Sequence, residues 1–287
     1  MYLLFDIGGT NTKLAVSEDG FDISDKRIYQ TPEDYNLGLK LMKDTFELMT
    51  RGAMVAGVAG GIAGPLSPDA SKIVKFTNNQ GWNNQEFKSH LQEAFHAPVF
   101  IGNDAAMGGL GEASHGGGVG FKVVSFITVS TGFGGSRIEN GKIDISRSGL
   151  EIGHQIIETK DSVECSCGGT NHLESFLSGA ALERKYGKSA KEIDDPEVWD
   201  EMARLLSIGL FNTTVYWLPD VIVLGGSLMK SINLEKVRIY FETKNSLLPS
   251  LPEIKLSKLG DLAGVYGSLE FLKQNLGGNQ DLLTREL

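Results

Sequence analysis

Cysteine is nearly absent: of 287 residues only Cys165 and Cys167 carry a thiol. One intervening residue sets them too close for a relaxed structural disulfide, and two are too few for the bridged framework of a small secreted domain. Long apolar runs are missing as well. No window approaches the roughly 18 uninterrupted apolar residues of a membrane span, and residues 1 to 5 hold no basic leader. No membrane association is expected, and the cytoplasm is the expected compartment. Positive charge is in deficit, with 27 Lys and Arg against 36 Asp and Glu and a formal net charge of −9. A nucleic-acid binder neutralises phosphates with clustered basic side chains, so no nucleic-acid partner is expected and any bound phosphate belongs in a local pocket. Two nucleotide signatures are also missing: there is no G-x-x-x-x-G-K-[ST] loop opening a helix and no G-x-G-x-x-G. What remains, 41% apolar and 22% charged residues, is the composition of a globular chain with material for one large core or two domains.

The first twenty residues, MYLLFDIGGTNTKLAVSEDG, organise the reading. Tyr2 to Phe5 and Leu14 to Val16 read as strands, and Asp6, Gly8, Gly9, Thr10, Asn11, Thr12 and Lys13 fill the turn between them. Glycines let backbone approach an anion and let successive amides converge on it, so this turn is a cradle for polyphosphate; an ordinary tight hairpin is the bland alternative. Asp19-Gly20 then predicts a hairpin into a strand near Lys26 to Tyr29. A helix follows, capped by Thr31, with Pro32 at its first position, Asp34 as the capping-box acid, and Leu37, Leu41, Thr45 and Leu48 along its inner face. Ala53 to Val58 reads as a buried strand running into a glycine loop, Gly60, Gly61, Gly64 and Pro65. Strand, helix and strand imply a parallel α/β sheet, whose ligands gather at the carboxyl ends of the strands.

Asn78, Asn79 and Gln80 ahead of Trp82 offer amides that can read sugar hydroxyls or simply cap a loop. A helix over Asn84 to His96 and a short strand over Pro98 to Ile101 follow, and the strand delivers Gly102, Asn103 and Asp104 to its carboxyl end. There Asp104 either caps the helix Ala105 to Ser114 or faces a cleft as a base, and position leaves both open. Glycines 116, 117, 118 and 120 mark a hinge between halves. The second half repeats the opening grammar: the strand Val123 to Val129, the turn Ser130, Thr131, Gly132, Phe133, Gly134 and Gly135, then a strand pair closed by Asn140-Gly141. A duplicated architecture is expected, with each glycine turn gripping one side of a nucleotide's phosphates in a cleft between domains.

From Leu150 the residues turn chemical. His154, Cys165, Cys167 and His172 supply the four thiolate and imidazole ligands that a structural zinc prefers, with Gly168 and Gly169 permitting a tight knuckle. Asp195 and Pro196 then cap a helix to Leu218 with Trp199, Met202, Leu206 and Leu210 as its buried stripe. Asp220 to Leu224 reads as a last buried strand entering Gly225, Gly226 and Ser227, where a flat base or ribose can lie against backbone. A final helix spans Ala263 to Gln274, broken by Gly277, Gly278 and Asn279.

Six short patterns occur here in the order of one known family: Asp6-Ile-Gly-Gly-Thr10, Asn103-Asp104-Ala105, Thr131-Gly-Phe-Gly-Gly135, Glu151-x-Gly-His154, the Cys165-x-Cys167-Gly knuckle ending in Glu174, and Gly225-Gly226. Nearly the whole chain resembles the ROK family of sugar kinases and repressors, named for repressor, open reading frame and kinase. The resemblance implies a two-domain α/β, actin-like (ribonuclease H-like) ATPase fold with its active site in the interdomain cleft: a smaller domain over 1–115, joined by the C-terminal helix at about 265–287, and a larger domain over 116–264. It implies an ATP-dependent transferase that phosphorylates the terminal hydroxymethyl group of a hexose, with Asp104 as general base. Gly64, Asn78, Asn103, Glu151, His154 and Glu174 are then the sugar contacts. Asp6, through magnesium (Mg2+), with Gly8, Gly9, Thr10, Lys13, Thr131, Gly132 and Gly134, would hold the polyphosphate, and Gly225 and Gly226 would lie near adenosine. The partners implied are the sugar, ATP and a second copy in a homodimer.

The chain departs from the family at one point: the knuckle usually reads C-x-C-G-x-x-G-C, and here Asn171 and His172 replace its last Gly and Cys. Imidazole substitutes competently for thiolate at zinc, so a structural Zn2+ is retained as an expectation. Glucose is the default sugar, with N-acetylmannosamine, fructose, allose and β-glucosides within reach of small loop changes. A repressor would need a DNA-binding domain ahead of the phosphate turn, and here that turn begins at residue 6, so a repressor is not expected. A non-catalytic sugar sensor is the other alternative.

Overall fold

Tyr2–Ile7 (β1) and Asn11–Ser17 (β2) form the expected antiparallel pair in the computed structural model, which describes residues 1–76, 79–144, 149–157 and 162–283. Asp25–Gln30 (β3) completes the meander, and Gly57–Ile62 (β4) and Val99–Asn103 (β5) extend the sheet on the other side in the order β3-β2-β1-β4-β5. Strands β1, β4 and β5 run parallel, so their carboxyl ends share one edge. Alternation along β1 decides the packing. Leu3, Phe5 and Ile7 point into a core shared with helices Tyr35–Thr50 (α1) and Phe87–Phe95 (α2). Leu4 points the other way, onto Val265, Leu269 and Leu272 of Ala263–Leu283 (α7). Asp104–His115 (α3) lies alongside α7. These elements form one compact unit, Met1–His115 with the segment from Leu262 onward.

The second unit holds Gly116–Asp144 and Leu150–Asp261. Its strands are Val123–Val129 (β6), Phe133–Glu139 (β7), Lys142–Ile143 (β8), Val221–Gly225 (β9) and Glu253–Leu256 (β10), in the order β10-β9-β6-β7-β8. Read from the other edge this is the order of the first sheet, meander included, so the duplication expected from the glycine turns is a duplication of topology. The core of this unit gathers Ile127, Ile222 and Leu224 against Pro196–Trp217 (α5) and Leu234–Glu242 (α6). As expected, Asp195 caps α5, accepting from the Glu197 N–H, with Pro196 in its first turn. Gly179–Tyr186 (α4) follows the knuckle. No helix among the described residues is long and apolar enough to cross a membrane.

Four local expectations are corrected. Helix α1 begins at Tyr35 with Asp34 as its cap, accepting from the Leu37 N–H at 2.7 Å, so Thr31 and Pro32 precede it. Its buried side is Tyr35, Gly38, Met42, Phe46 and Met49, while Leu37 and Leu48 face solvent, because starting the helix later rotates the stripe. Gly60 and Gly61 belong to β4, not to a loop. A Cβ at Gly60 would sit 2.2 Å from the Phe5 ring, and one at Gly61 would sit 3.0 Å from the Asp104 Cα, so they are bare strand positions that admit neighbours. Finally, α7 continues through Gly277.

Candidate active site

In the first unit, register places the functional candidates along one edge of the sheet. Asp6 pairs with Gly61 across β1 and β4, and Ile7 and Ile62 lead to Asn103 at the end of β5. Because the three strands are parallel and equally terminated, the turn after β1, the loop after β4 and the start of α3 open on the same side. Asp6 is 7% exposed, and its Oδ2 accepts from the Lys13 ammonium at 2.8 Å, the residue opposite it on β2. Gly264, in the first turn of α7, would place a Cβ 2.5 Å from the Asp6 carboxyl carbon, so only glycine lets α7 start there.

The turn Gly8, Gly9 and Thr10 is held from three sides. Its own Gly8 N–H donates to the Asn11 carbonyl at 2.9 Å. The Thr31 hydroxyl donates to the Gly8 carbonyl at 2.7 Å, and the Thr31 N–H donates to the Thr10 carbonyl at 3.0 Å. The Asn79 amide donates to the Gly9 carbonyl at 3.4 Å. With its carbonyls engaged backward, the turn can present N–H groups outward, which is what an anion requires. Neither Thr31 nor Asn79 was singled out for this task from sequence, since each read equally well as a cap or loop former. Asn78 lies outside the described residues.

At the end of β5 the adjacent Asn103 and Asp104 separate in role. The Asn103 amide oxygen accepts from the Ala105 and Ala106 N–H groups at 3.0 and 3.2 Å, so Asn103 caps α3. Its Nδ2 donates to the Gly64 carbonyl at 3.4 Å, tying the loop after β4 to the helix start. Gly64 holds a φ of +92°, and a Cβ there would meet the Lys75 carbonyl at 2.2 Å. Asp104 is the first residue of α3 and is partly exposed, with one oxygen accepting from the Ala105 N–H at 2.9 Å.

In the second unit the turn between β6 and β7 is anchored in the same manner. The Gly179 and Ala180 N–H groups at the start of α4 donate to the Ser130 and Thr131 carbonyls at 2.7 and 3.1 Å, so the unpaired amides of that helix fix the turn. Glu174 Oε2 accepts from the Phe133 N–H at 2.8 Å, and a Cβ at Gly132 would lie 2.9 Å from that oxygen. Thr131 is exposed, while Gly134 lies within β7 opposite Thr128. Gly225 ends β9, and Gly226, at φ +93°, passes close enough to β6 that a Cβ would sit 2.2 Å from the Val129 carbonyl. Ser227 and Ser130 bridge the two strand ends at 3.2 Å.

Glu151 and His154 sit on and just before a short 3-10 turn, Ile152–His154, with Glu151 Oε2 3.4 Å from the imidazole Nδ1. The pair is close enough to act electrostatically but not aligned as a hydrogen bond, which leaves His154 Nδ1 buried without a hydrogen-bond partner. The adjacent Glu151 carboxylate, joined by that of Glu174, nevertheless raises the His154 pKa above the usual range. Around it, one ligand atom each from His154, Cys165, Cys167 and His172 lies within 4.8 Å of the others. Tetrahedral zinc with bonds of about 2.0–2.3 Å needs ligand atoms some 3.3–3.8 Å apart, a closure within reach of side-chain rotation. Cys167 Sγ already stands 3.2 Å from His172 Nδ1. The Gly169 N–H donates to Cys167 Sγ at 3.4 Å and lowers that thiol's pKa, whereas burial raises that of Cys165. Two imidazoles and two thiols gathered this closely fit a structural zinc, and a Cβ at Gly169 would collide with His172 at 2.5 Å.

A family model described as the ROK family matches residues 2–275. A glucokinase of Halalkalibacterium halodurans is 28% identical, covering 95% of this chain and 95% of that one. A xylose repressor of Bacillus spizizenii is 30% identical over 72% of this chain and 59% of its own. Among solved structures, a ROK hexokinase from Thermus thermophilus superposes with a TM-score of 0.81 at 26% identity, covering 96% of this chain and 99% of that one.

Proposed function

We propose that this chain, which belongs to the ROK family, is an ATP-dependent sugar kinase that phosphorylates the terminal hydroxymethyl group of a hexose, glucose by default. The observation carrying the reading is the shared strand edge of the first unit. There a buried acid beside a glycine turn and an acid heading a helix, Asp6 and Asp104, stand at the carboxyl ends of parallel strands β1 and β5. Phosphoryl transfer asks little covalent chemistry of a protein. It needs the reactants in line, donors around the phosphates and a carboxylate to orient the attacking hydroxyl.

In this reading Asp104 takes the proton of the hydroxymethyl group, while Asn103, Gly64, Glu151, His154 and Glu174 position the ring hydroxyls, with Asn78 as a further contact. Glu174 would also hold the second phosphate turn in shape through its bond to the Phe133 N–H. The turns Gly8 to Thr10 and Thr131 to Gly134 hold polyphosphate through N–H groups other than those of Gly8, bonded to the Asn11 carbonyl, and Phe133, bonded to Glu174; Lys13 supplies a cation beside Asp6, and Gly225 and Gly226 admit the nucleoside. A magnesium ion held by Asp6 would neutralise phosphate charge as it develops. A structural zinc on His154, Cys165, Cys167 and His172 would fix the knuckle and with it Glu174, two residues beyond His172. A homodimer and a cytoplasmic setting belong to the same reading.

The similarity to a repressor supports one rival, a sugar-responsive regulator without turnover. ADP release measured with glucose, N-acetylmannosamine, fructose, allose and a β-glucoside separates them. Sugar-stimulated ADP formation is expected, and sugar binding with no ADP formed from any of these sugars would refute the kinase. Metal analysis of the purified, folded chain is expected to find about one zinc per chain, and less than about half an equivalent would remove zinc from the account.

A further inference from the structure

Helix α1 carries two apolar stripes, and the core of its unit uses one of them. Tyr35, Met42, Phe46 and Met49 enter that core. Leu37, Leu41, Thr45 and Leu48, at the three- and four-residue spacing that keeps side chains on one side of a helix, form the second. Leu37 is 57% exposed and Leu48 is 78% exposed, with Leu41 half-buried between them. A lone exposed leucine needs no explanation, whereas a seam sustained over about three turns is the pattern by which helices pair.

The charges beside the seam say what covers it. Asp34 stands at the start of α1, Lys40 and Lys43 before its middle, Asp44 and Glu47 after it, and Arg51 at its end. All but the half-buried Asp44 are exposed. The signs run acid, base, acid, base, so the helix turned end for end is complementary to itself. In an antiparallel pair about a twofold axis near residues 42 and 43, Leu37 of each copy faces Leu48 of the other, Lys40 lies beside Glu47, and Arg51 lies beside Asp34. Each contact then occurs twice by symmetry. A parallel pair would instead bring like charges level with each other. Lys40 already bonds Asp44 within the helix at 2.5 Å, so Glu47 of the other copy would extend that pair into a network, the arrangement in which surface charges contribute. A partner of unrelated sequence has no such reason to match four alternating blocks.

We infer that the outer stripe of α1 is an interface between two copies of this chain, packed antiparallel about a twofold axis. The contact stands apart from the sugar-kinase reading, since none of the residues placed on sugar or phosphate takes part, and it is compatible with a tighter dimer through another surface. One helix pair covers less than the roughly 1,600 Å² of a standard stable interface, so the association is weak and reversible, with a dissociation constant on the order of 10–100 μM.

The test is sedimentation velocity on the full chain over protein concentrations from about 1 to 300 μM, which bracket that constant. The parent is compared with Leu48→Lys, Lys40→Glu, and Lys40→Glu combined with Glu47→Lys. The readout is the concentration-dependent step, so a tight dimer formed elsewhere does not mask it. Leu48→Lys puts a charge into the seam but sets it four residues after Asp44, where it supports the helix, so the fold is kept. That variant is expected to raise the dissociation constant at least about tenfold and Lys40→Glu about fivefold, while the double variant returns it to within about twofold of the parent. No concentration-dependent association in the parent overturns the inference and leaves the stripe to a partner of other sequence. Association that Leu48→Lys leaves unchanged also overturns it, as does a loss in Lys40→Glu that the double variant does not recover.

Discussion

Asp104→Asn is expected to fold, to bind sugar, and to lose at least about a hundredfold in turnover, the scale of a positioned general base. In barrier height that is about 2.7 kcal/mol. The structure makes the substitution a clean one. The cap of α3 is Asn103, whose amide oxygen accepts from the Ala105 and Ala106 N–H groups, so the helix keeps its start when residue 104 changes. An amide at 104 retains an oxygen for the Ala105 N–H now bonded at 2.9 Å. What disappears is a negative charge at a helix N-terminus, an effect of about 0.3–1 kcal/mol on stability. Thermal melting within a few degrees of the parent, combined with a coupled ADP assay, distinguishes lost chemistry from lost structure. Near-normal turnover would show that Asp104 is not the base.

That separation of roles was not legible in the sequence, where Asn103 and Asp104 arrive together at a strand-to-helix junction and either side chain can cap. Only the geometry, with two amide hydrogens of α3 on Asn103, divides them. The same limit recurs wherever a residue type has two uses. Gly60 and Gly61 read as loop because glycine breaks strands. They are strand because Phe5 and α3 occupy the space their side chains would fill, a fact of packing with no local signal. Thr31 read as a helix cap and instead bonds the phosphate turn, since the helix waits for Asp34.

Where chemistry and spacing act together, the sequence was more informative. Asp195-Pro196 states a helix start through two independent preferences, and the helix begins there. Val123 to Val129, apolar throughout and ended by hydroxyl and glycine residues, is a strand over those same residues. The residues of C-x-C and the two histidines were grouped by ligand chemistry alone, and the chain brings their donor atoms within 4.8 Å.

Gly267→Val is expected to cost more than about 3 kcal/mol, beyond the usual range for overpacking, because the obstruction is backbone. At Gly111 and Gly267 helices α3 and α7 meet without side chains between them. A Cβ at Gly267 would stand 1.7 Å from the Met107 carbonyl oxygen and 3.0 Å from the Gly111 nitrogen, and one at Gly111 would stand 2.1 Å from the Ala263 carbonyl oxygen. A side-chain clash can be relieved by a rotamer change, but here a whole helix must move. Movement of α7 would also strain its hold on the sheet, where the buried Ser268 hydroxyl contacts the Phe5 carbonyl at 3.0 Å, next to Asp6. Against a typical total of about 5–15 kcal/mol, such a loss is a large fraction of folding stability. Gly277→Ala is the internal control: in the same helix, with nothing within 4 Å of the added Cβ, it is expected to stabilise by about 0.5–1 kcal/mol through helix propensity. Urea midpoints of the two variants should move in opposite directions from the parent. A Gly267→Val protein as stable as the parent would mean that α3 and α7 are not in backbone contact, and with that the placement of Asp6 beneath the start of α7 would fall.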